Sequence, residues 1–180
     1  VRDLANLRKK GIEVFTGLVD GIDAERRMVR VDGMELEVDH MVVSLGAQLA
    51  PEMIPGLADA GHNLYTLDGA TAIRDARKKL DGGRVVVLTA GMPYKCPAAP
   101  YEAAMLLHHD LRKRKLRDRV EVAVYAGEPG PMGVASPQVS AGVKQMLQER
   151  EIAYYPDHQV THVEGDSRTI HFSNGVETQF

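Results

Sequence analysis

Apolar and polar residues alternate along two separate parts of the chain, one near each end. The alternating runs are Val19 to Asp23 and Met28 to Val31 in the first part, and Val160 to Glu164 and Thr169 to Phe172 in the second. An alternation of period two indicates half-buried β-strands. Asp32-Gly33 and Asn174-Gly175 follow these runs, and such pairs are typical of hairpin turns. We interpret the two parts as copies of one unit, although two unrelated β-rich segments would also look alike.

Each copy is predicted to begin with a short strand, Ile12 to Phe15 in the first and Ile152 to Tyr155 in the second. The first copy continues into a further apolar strand at residues 40–47, HMVVSLGA, whereas the second reaches residue 180 without one. The chain opens in a helix-like run, VRDLANLRKKG. We therefore expect a segment of a longer protein, with a processed mature chain as the alternative.

Between the copies, strand-like runs alternate with runs of helical spacing. RVVVLT at residues 84–89 is continuously apolar, as in strands buried on both faces, and VEVAVYA at 120–126 is the next predicted strand. Helices are predicted at Asp68 to Leu80, Tyr101 to Lys113 and Pro137 to Arg150, with residues 49–64 as a linker. The strand-helix-strand-helix-strand order predicts a parallel sheet with helices on its faces.

The predicted fold class is α/β: a Rossmann-like parallel-sheet domain with a β-hairpin or meander insertion, together with part of a preceding FAD domain. Tandem nucleotide-binding domains that each carry a hairpin insertion indicate a flavoprotein that binds two dinucleotides. Residues 1–50 are assigned to the C-terminal part of an FAD-binding domain, with a β-meander and a returning strand. Residues 51–82 are assigned to a linker and connecting helix, and residues 83–180 to a second, NAD-domain-like α/β domain that is incomplete at its C-terminal end.

Composition and charge narrow the function classes. Of the 180 residues, 44% are hydrophobic and 26% are charged, as in ordinary globular proteins. The net charge of -3 gives no reason to expect a nucleic acid partner, and no apolar run approaches the roughly 18 residues of a membrane span. The single cysteine excludes an internal disulfide. His108-His109 could suggest a metal, but neighbours on a helix point in different directions, so we expect none.

The turn after the strand at 84–89, TAGMPYKCPAAPYE, departs from the pattern of a nucleotide-binding turn. A dinucleotide-binding turn would carry G-x-G-x-x-G here, because its glycines let the backbone approach a pyrophosphate. Only Gly91 is present, and Pro93, Pro97 and Pro100 remove backbone N–H donors. Glu128 is the nearest acid that could bind a ribose. We therefore do not expect NAD at this turn.

Cys96 stands in this turn, just before the predicted helix. The helix N-terminus and the adjacent Lys95 both favour a thiolate, which is the nucleophile in disulfide exchange. A lone cysteine is also often a small buried hydrophobic residue, and position alone leaves both roles open. Glu102 is interpreted as a first-turn carboxylate, with proton transfer as its alternative role.

The segment MPYKCPAAPYEAAMLLHHDLRKR, at residues 92–114, resembles the sulfide:quinone oxidoreductase family and its relative, the flavoprotein subunit of flavocytochrome c sulfide dehydrogenase. Residues 40–57 resemble the segment where the chain of such proteins returns to the FAD domain, and residues 116–133 and 144–164 resemble the middle of the same family. These enzymes belong to the FAD-dependent pyridine nucleotide-disulfide oxidoreductase superfamily.

The resemblance implies that the full-length protein binds FAD, with Ser44, Gly46, Ala47 and Pro100 among the contacting residues, and that this segment alone does not hold it. It implies that Cys96 is the catalytic cysteine on the flavin face, paired with a C-terminal cysteine outside these residues. Sulfide, or another small sulfur compound, would be oxidised through this cysteine–flavin relay. Electrons would then leave to a quinone or a cytochrome.

One departure and two alternatives accompany this resemblance. Many quinone-reducing members have an additional cysteine and histidine where this chain has Tyr65 and Gly69, so the chain is closer to the two-cysteine pattern of the flavocytochrome type. The alternatives are an NAD(P)H-dependent flavin oxidoreductase, similar to alternative NADH dehydrogenases, and a non-catalytic domain of the same fold. We expect a bacterial or archaeal protein, cytoplasmic or peripheral to a membrane, with any membrane contact made by regions outside this chain.

Overall fold

The computed structural model describes residues 4–180, and the chain divides into two compact units, Val1–Gly46 and Ala47–Phe180. The predicted N-terminal helical run begins outside the described residues, and its described part is a 3-10 helix, Leu4–Lys10. The fold is mixed α/β, as predicted, with one parallel sheet and two antiparallel meanders. No helix within residues 4–180 has both the length and the apolar character needed to cross a bilayer.

The first unit contains a three-stranded antiparallel meander. Its strands are β1 (Val19–Asp23), β2 (Met28–Val31) and β3 (Met34–Glu37), in that order. The register of β1 against β2 shifts between Val19 and Gly21, as at a β-bulge. Met28 and Val31 on β2 are both buried. They are three residues apart, so their side chains lie on opposite faces of the strand, and burial in β2 does not follow a simple alternation.

Two strands predicted for the first copy are wrong. The structure has no strand at residues 12–15 or at residues 40–47. A strand requires a neighbour that completes its backbone hydrogen bonds, and no described strand pairs with either segment. The apolar side chains there are exposed, with Val42 at 90% and Leu45 at 75%. The apolar pattern therefore predicted strands at two places where no pairing strand is present among the described residues.

The second unit is built on a parallel sheet with strand order β4-β5-β6. Its strands are β4 (Gly83–Thr89), β5 (Val120–Ala126) and β6 (Ala153–Tyr155), and its helices are α2 (Leu67–Lys79), α3 (Ala99–Lys113) and α4 (Pro137–Gln148). The helix α3 connects β4 to β5, and α4 connects β5 to β6. Because right-handed crossovers that advance in one direction place their helices on the same face of a sheet, α3 and α4 share one face. That face packs on the two helices through Tyr101, Leu111 and Leu147, so the expectation of helices on both faces is correct for this face only.

A second antiparallel meander covers the other face of the sheet. Its strands are β7 (Val160–Glu164), β8 (Thr169–Phe172) and β9 (Glu177–Gln179). Inward residues of this meander pack against Ala123 and Tyr125 of β5. The register of β7 against β8 shifts between Val160 and His162, at the position that matches the shift in the first meander. The two meanders therefore share strand order and register, as the sequence predicted, whereas the short strand predicted at the start of each copy is present only in the second.

The predicted linker at residues 49–64 packs against the second meander. It contains a 3-10 turn, Pro51–Met53, and the short helix α1 (Leu57–Ala60). Gly56 precedes α1 with a φ of 76°, and a Cβ at this position would lie 1.9 Å from the carbonyl oxygen of Val163. The N–H of Val163 donates a hydrogen bond to the carbonyl of Pro55 at 2.9 Å. Glycine therefore allows the linker to approach the backbone of β7.

Two helices begin where the sequence supplies a capping hydroxyl. Ser136 accepts a hydrogen bond from the N–H of Val139 at 3.2 Å, and Pro137 occupies the first turn of α4. Thr66 accepts one from the N–H of Gly69 at 3.1 Å at the start of α2. In contrast, α3 follows the turn that contains Cys96, and its N-cap residue Ala98 offers no side-chain cap.

Candidate active site at the turn between β4 and α3

The turn between β4 and α3 lies at the carboxyl end of the parallel sheet, where open α/β sheets bind their ligands. The hydroxyl of Thr89 accepts a hydrogen bond from the N–H of Gly127 at 3.1 Å. The carbonyl of Ala90 accepts one from the side-chain amide of Gln159 at 2.9 Å. The peptide bond between Met92 and Pro93 is cis. The start of the turn is therefore tied to the segments that follow β5 and β6.

Cys96 is exposed and has a left-handed backbone conformation, with a φ of 53°. This region of backbone conformation costs a residue with a Cβ about 1–2 kcal/mol. The carbonyl of Cys96 accepts a hydrogen bond from the N–H of Ala99 at 3.0 Å, which joins the turn to α3. Because its side chain is exposed, Cys96 is not the small buried hydrophobic residue that its position in the sequence allowed.

Tyr65 lies beside the cysteine turn. The sequence pattern did not predict this contact. The hydroxyl of Tyr65 donates a hydrogen bond to the carbonyl of Lys95, the residue before Cys96. The Lys95 ammonium lies 5.9 Å from the centre of the Tyr65 ring, within the range of a cation–π contact, and 3.5 Å from the carbonyl oxygen of Ala47. Burial raises the pKa of Tyr65, and negative charge on Cys96 raises it further. Tyr65 therefore keeps its proton at neutral pH and holds the turn as a donor.

Glu128, the acid nearest to the expected ribose position, is buried with 7% exposure and already has two donors. Its Oε1 accepts a hydrogen bond from the hydroxyl of Tyr94 at 2.6 Å and another from the hydroxyl of Tyr101. Burial, followed by the hydrogen bonds to Glu128, raises the pKa of both tyrosines well above the usual value. A nucleotide ribose would have to compete with these phenols for Oε1 of Glu128.

The residues predicted to contact FAD fall in both units. Ser44 and Gly46 belong to the first unit and are exposed, and Gly46 has a φ of 74° with open space where a Cβ would stand. Ala47 belongs to the second unit, where its carbonyl faces Lys95. Pro100 is buried in the first turn of α3. The contacts of these residues with FAD stay predictions.

His108 and His109 differ in their surroundings. His108 is buried, and its Nδ1 accepts a hydrogen bond from Nε of Arg117 at 3.1 Å. Burial, and then the charge of Arg117, lowers the pKa of His108. His109 is exposed. Neither histidine belongs to a group of potential metal ligands among the described residues. A different group does form on the second meander, with two members on β7 and one on β8.

Residues 3–180 match the family described as pyridine nucleotide-disulphide oxidoreductase. The chain belongs to this family. Pyridine nucleotide-disulphide oxidoreductases of this kind are FAD-dependent, so the oxidoreductase and flavoprotein class expected from the sequence is confirmed. The parallel sheet and the antiparallel meanders described above agree with this family's fold.

Similar proteins include two that are named for sulfide and quinone. The chain is 27% identical over 177 residues to the sulfide-quinone reductase of Aquifex aeolicus (strain VF5), which covers 94% of this chain and 40% of that protein. It is 27% identical over 154 residues to the mitochondrial sulfide:quinone oxidoreductase of Dictyostelium discoideum, which covers 82% of this chain and 34% of that protein. The resemblance drawn from the cysteine turn is therefore confirmed.

A solved structure shows the same fold. The sulfide:quinone oxidoreductase of Aquifex aeolicus matches with a TM-score of 0.74 and 24% sequence identity, over 97% of this chain and 42% of that one. This pyridine nucleotide-disulphide oxidoreductase chain thus spans less than half the length of each of these relatives.

Proposed function

We propose that the chain is part of an FAD-dependent oxidoreductase that oxidises sulfide, or another small sulfur compound, through Cys96 and passes the electrons to a quinone or a cytochrome. The observation that carries the proposal is the exposed Cys96 in the turn where a dinucleotide-binding domain would hold a pyrophosphate. The two relatives named for sulfide and quinone support this substrate and this acceptor. The activity belongs to the whole protein, of which this chain is a part.

The contribution of this chain is a positioned sulfur atom. In the proposed reaction, hydrosulfide attacks a disulfide that Cys96 forms with a second cysteine, which lies outside these residues because the sequence has one cysteine. The S–S bond breaks, one cysteine keeps the added sulfur as a persulfide, and the other leaves as a thiolate. The Lys95 ammonium, held near the Tyr65 ring, gives the turn a positive charge where an anionic sulfur species would arrive.

The residues that are present fit part of an FAD site. Gly46 combines a φ of 74° with open space at its Cα, so a cofactor atom can approach the backbone closely there. We assign Ser44, Gly46, Ala47 and Pro100 to contacts with the cofactor. FAD, when bound, accepts the two electrons released from sulfur. The sequence contains no G-x-G-x-x-G, so the pyrophosphate is assigned to residues outside this chain.

The geometry disfavours a nicotinamide dinucleotide as the electron donor at this turn. Pro93, Pro97 and Pro100 offer no N–H to a phosphate. The carboxylate of Glu128 is bonded to two tyrosine hydroxyls. A sulfur donor therefore accounts for this turn better than NAD(P)H does.

The test is anaerobic stopped-flow measurement of flavin absorbance in the full-length protein. Sulfide is expected to reduce the flavin, NADH is not, and Cys96→Ser should lower the sulfide-dependent rate by at least about 100-fold, as expected for the loss of a nucleophile. The matched control is Glu102→Gln, which changes an exposed first-turn carboxylate of α3 and should keep the rate. Rapid reduction by NADH would instead support the NAD(P)H-dependent alternative. An unchanged sulfide-dependent rate in Cys96→Ser would overturn the role of the cysteine.

A further inference from the structure

The outer face of the second meander brings two histidines and a glutamate together, and the proposed sulfur chemistry does not use them. His162 and His171 are directly paired across β7 and β8, and their rings stack with centroids 4.0 Å apart and an angle of 6° between planes. Glu164 lies two residues after His162 on β7, so its side chain is on the same face. The opposite face of β7 and β8, with Val163 and Ile170, packs into the core.

The ligand atoms of these three side chains converge. Oε1 of Glu164 lies 3.5 Å from Nε2 of His171 and 4.0 Å from Nε2 of His162. One ligand atom from each of the three residues lies within 4.8 Å of the others. Two ligand atoms bound to one tetrahedral Zn²⁺ ion are about 3.4 Å apart, since Zn–N and Zn–O bonds are about 2.0–2.2 Å long. Small side-chain rotations would therefore close the set around one ion.

Neighbouring groups already orient each of the three side chains. The Nδ1 of His171 lies 3.0 Å from Oε1 of Glu177, so with a proton on Nδ1 it donates to that carboxylate. Oε2 of Glu164 accepts the hydroxyl of Ser167 at 2.8 Å, which leaves Oε1 for another partner. The hydroxyl of Thr161 lies 3.2 Å from Nδ1 of His162. Such outer contacts fix the tautomer and the orientation of metal-binding histidines.

One nitrogen in this group has only a long contact, to the carboxylate of Glu164. Nε2 of His171 is buried and makes no well-formed hydrogen bond among the described residues. Oε1 of Glu164 faces it at 3.5 Å. A buried polar atom without a well-formed hydrogen bond costs free energy. Because Glu177 occupies the other ring nitrogen, a metal ion between His171, His162 and Glu164 would give Nε2 a ligand bond in place of this long contact.

We propose that His162, Glu164 and His171 form a binding site for one divalent transition metal ion, of which Zn²⁺ fits the ligands best. Two imidazoles and one carboxylate are a known set of three protein ligands for Zn²⁺, with water at the fourth position. All three residues belong to the second meander, so the bound ion would link β7 to β8. The proposal is independent of the proposed sulfide oxidation.

The first meander provides an internal comparison. Its register matches that of the second, and the positions equivalent to His162 and His171 are Gly21 and Arg30. Arg30 forms an ion pair with Asp20 instead. The meander itself therefore does not require these histidines, and the ligand set is a property of the second copy alone.

The experiment is a titration of the protein with Zn²⁺ by calorimetry, in a Cys96→Ser background that removes thiol binding. One ion per chain is expected, and His162→Ala and His171→Ala should each abolish this binding. Glu177→Gln should weaken it by about 10–100-fold, as found when an outer-shell partner of a metal-binding histidine is changed. A parallel titration with Co²⁺, followed by visible absorption, should give the spectrum of a site with nitrogen and oxygen ligands.

The matched control is His109→Ala, which removes an exposed histidine of α3 and should leave Zn²⁺ binding unchanged. Circular dichroism of each variant checks that the loss of binding is not a loss of folding. Binding that persists in both His162→Ala and His171→Ala would overturn the proposal. So would the absence of saturable Zn²⁺ binding in a folded parent protein.

Discussion

Replacing Cys96 with glycine is expected to stabilise the protein and, at the same time, to abolish its proposed activity. Cys96 has a φ of 53° and an exposed side chain. The left-handed region costs a residue with a Cβ about 1–2 kcal/mol, and the greater freedom of glycine in the unfolded chain offsets about 0.5–1 kcal/mol of the gain. Since little packing is lost at an exposed site, Cys96→Gly should raise the free energy of unfolding by up to about 1.5 kcal/mol, and by about 0.75 kcal/mol at the middle of both ranges.

Urea denaturation followed by circular dichroism measures this gain, and anaerobic flavin reduction by sulfide measures the function. Cys96→Ala removes the sulfur but keeps the Cβ, so it should lose the reaction without the gain in stability. Lys115→Gly is the second control, because exposed Lys115 also has a left-handed backbone, with a φ of 59°. Lys115→Gly should show the same gain in the free energy of unfolding and should keep flavin reduction by sulfide. If Cys96→Gly is no more stable than Cys96→Ala, the backbone argument is refuted. If flavin in the Cys96→Gly protein is still reduced by sulfide, the assignment of the reaction to Cys96 is refuted.

Three further predictions concern the second unit. Gly56→Ala should lower the free energy of unfolding by about 2–4 kcal/mol, because left-handed strain adds to a clash with the Val163 carbonyl. Gly175→Ala has open space and should cost only about 1–2 kcal/mol, so equal losses in urea denaturation would contradict the clash. Because burial lowers the pKa of His108, stability should fall as the pH drops below the ordinary value of about 6.5. Urea titrations between about pH 5 and 8 should show that His108→Gln flattens this fall, and an unchanged pH profile would argue against it. Tyr65→Phe removes a hydrogen bond to the cysteine turn and should cost about 0.5–1.5 kcal/mol in urea denaturation; no loss would mean that this bond does not hold the turn.

The buried elements of the second unit could be predicted from local sequence. β5 has the predicted bounds, Val120–Ala126, because a strand in the middle of a sheet is apolar on both faces and its ends are marked by polar residues and glycine. The helix predicted from Tyr101 begins two residues earlier, at Ala99, because the turn of Cys96 passes directly into α3. The cysteine turn itself could be identified from the missing glycines and the prolines around Cys96.

Features that depend on distant residues could not be predicted. The apolar run at residues 40–47 looks like a strand, but a strand also depends on a partner, which local pattern does not encode. Tyr65 contacts the turn from 30 residues away along the chain. His162 and His171 face each other only because of the register shift between β7 and β8. The sequence signal for this site is a His-x-Glu on one strand and a histidine on the next. It indicates a shared site only when the register shows that the two histidines are paired.

The most direct test of the account is the rate of flavin reduction by sulfide in the full-length protein, measured without oxygen for the parent and for Cys96→Ser. The account predicts rapid reduction in the parent, a rate at least about 100-fold lower in the variant, and no comparable reduction by NADH in either. Equal rates with sulfide in the two proteins, with FAD bound in both, would contradict the assignment of sulfur chemistry to Cys96.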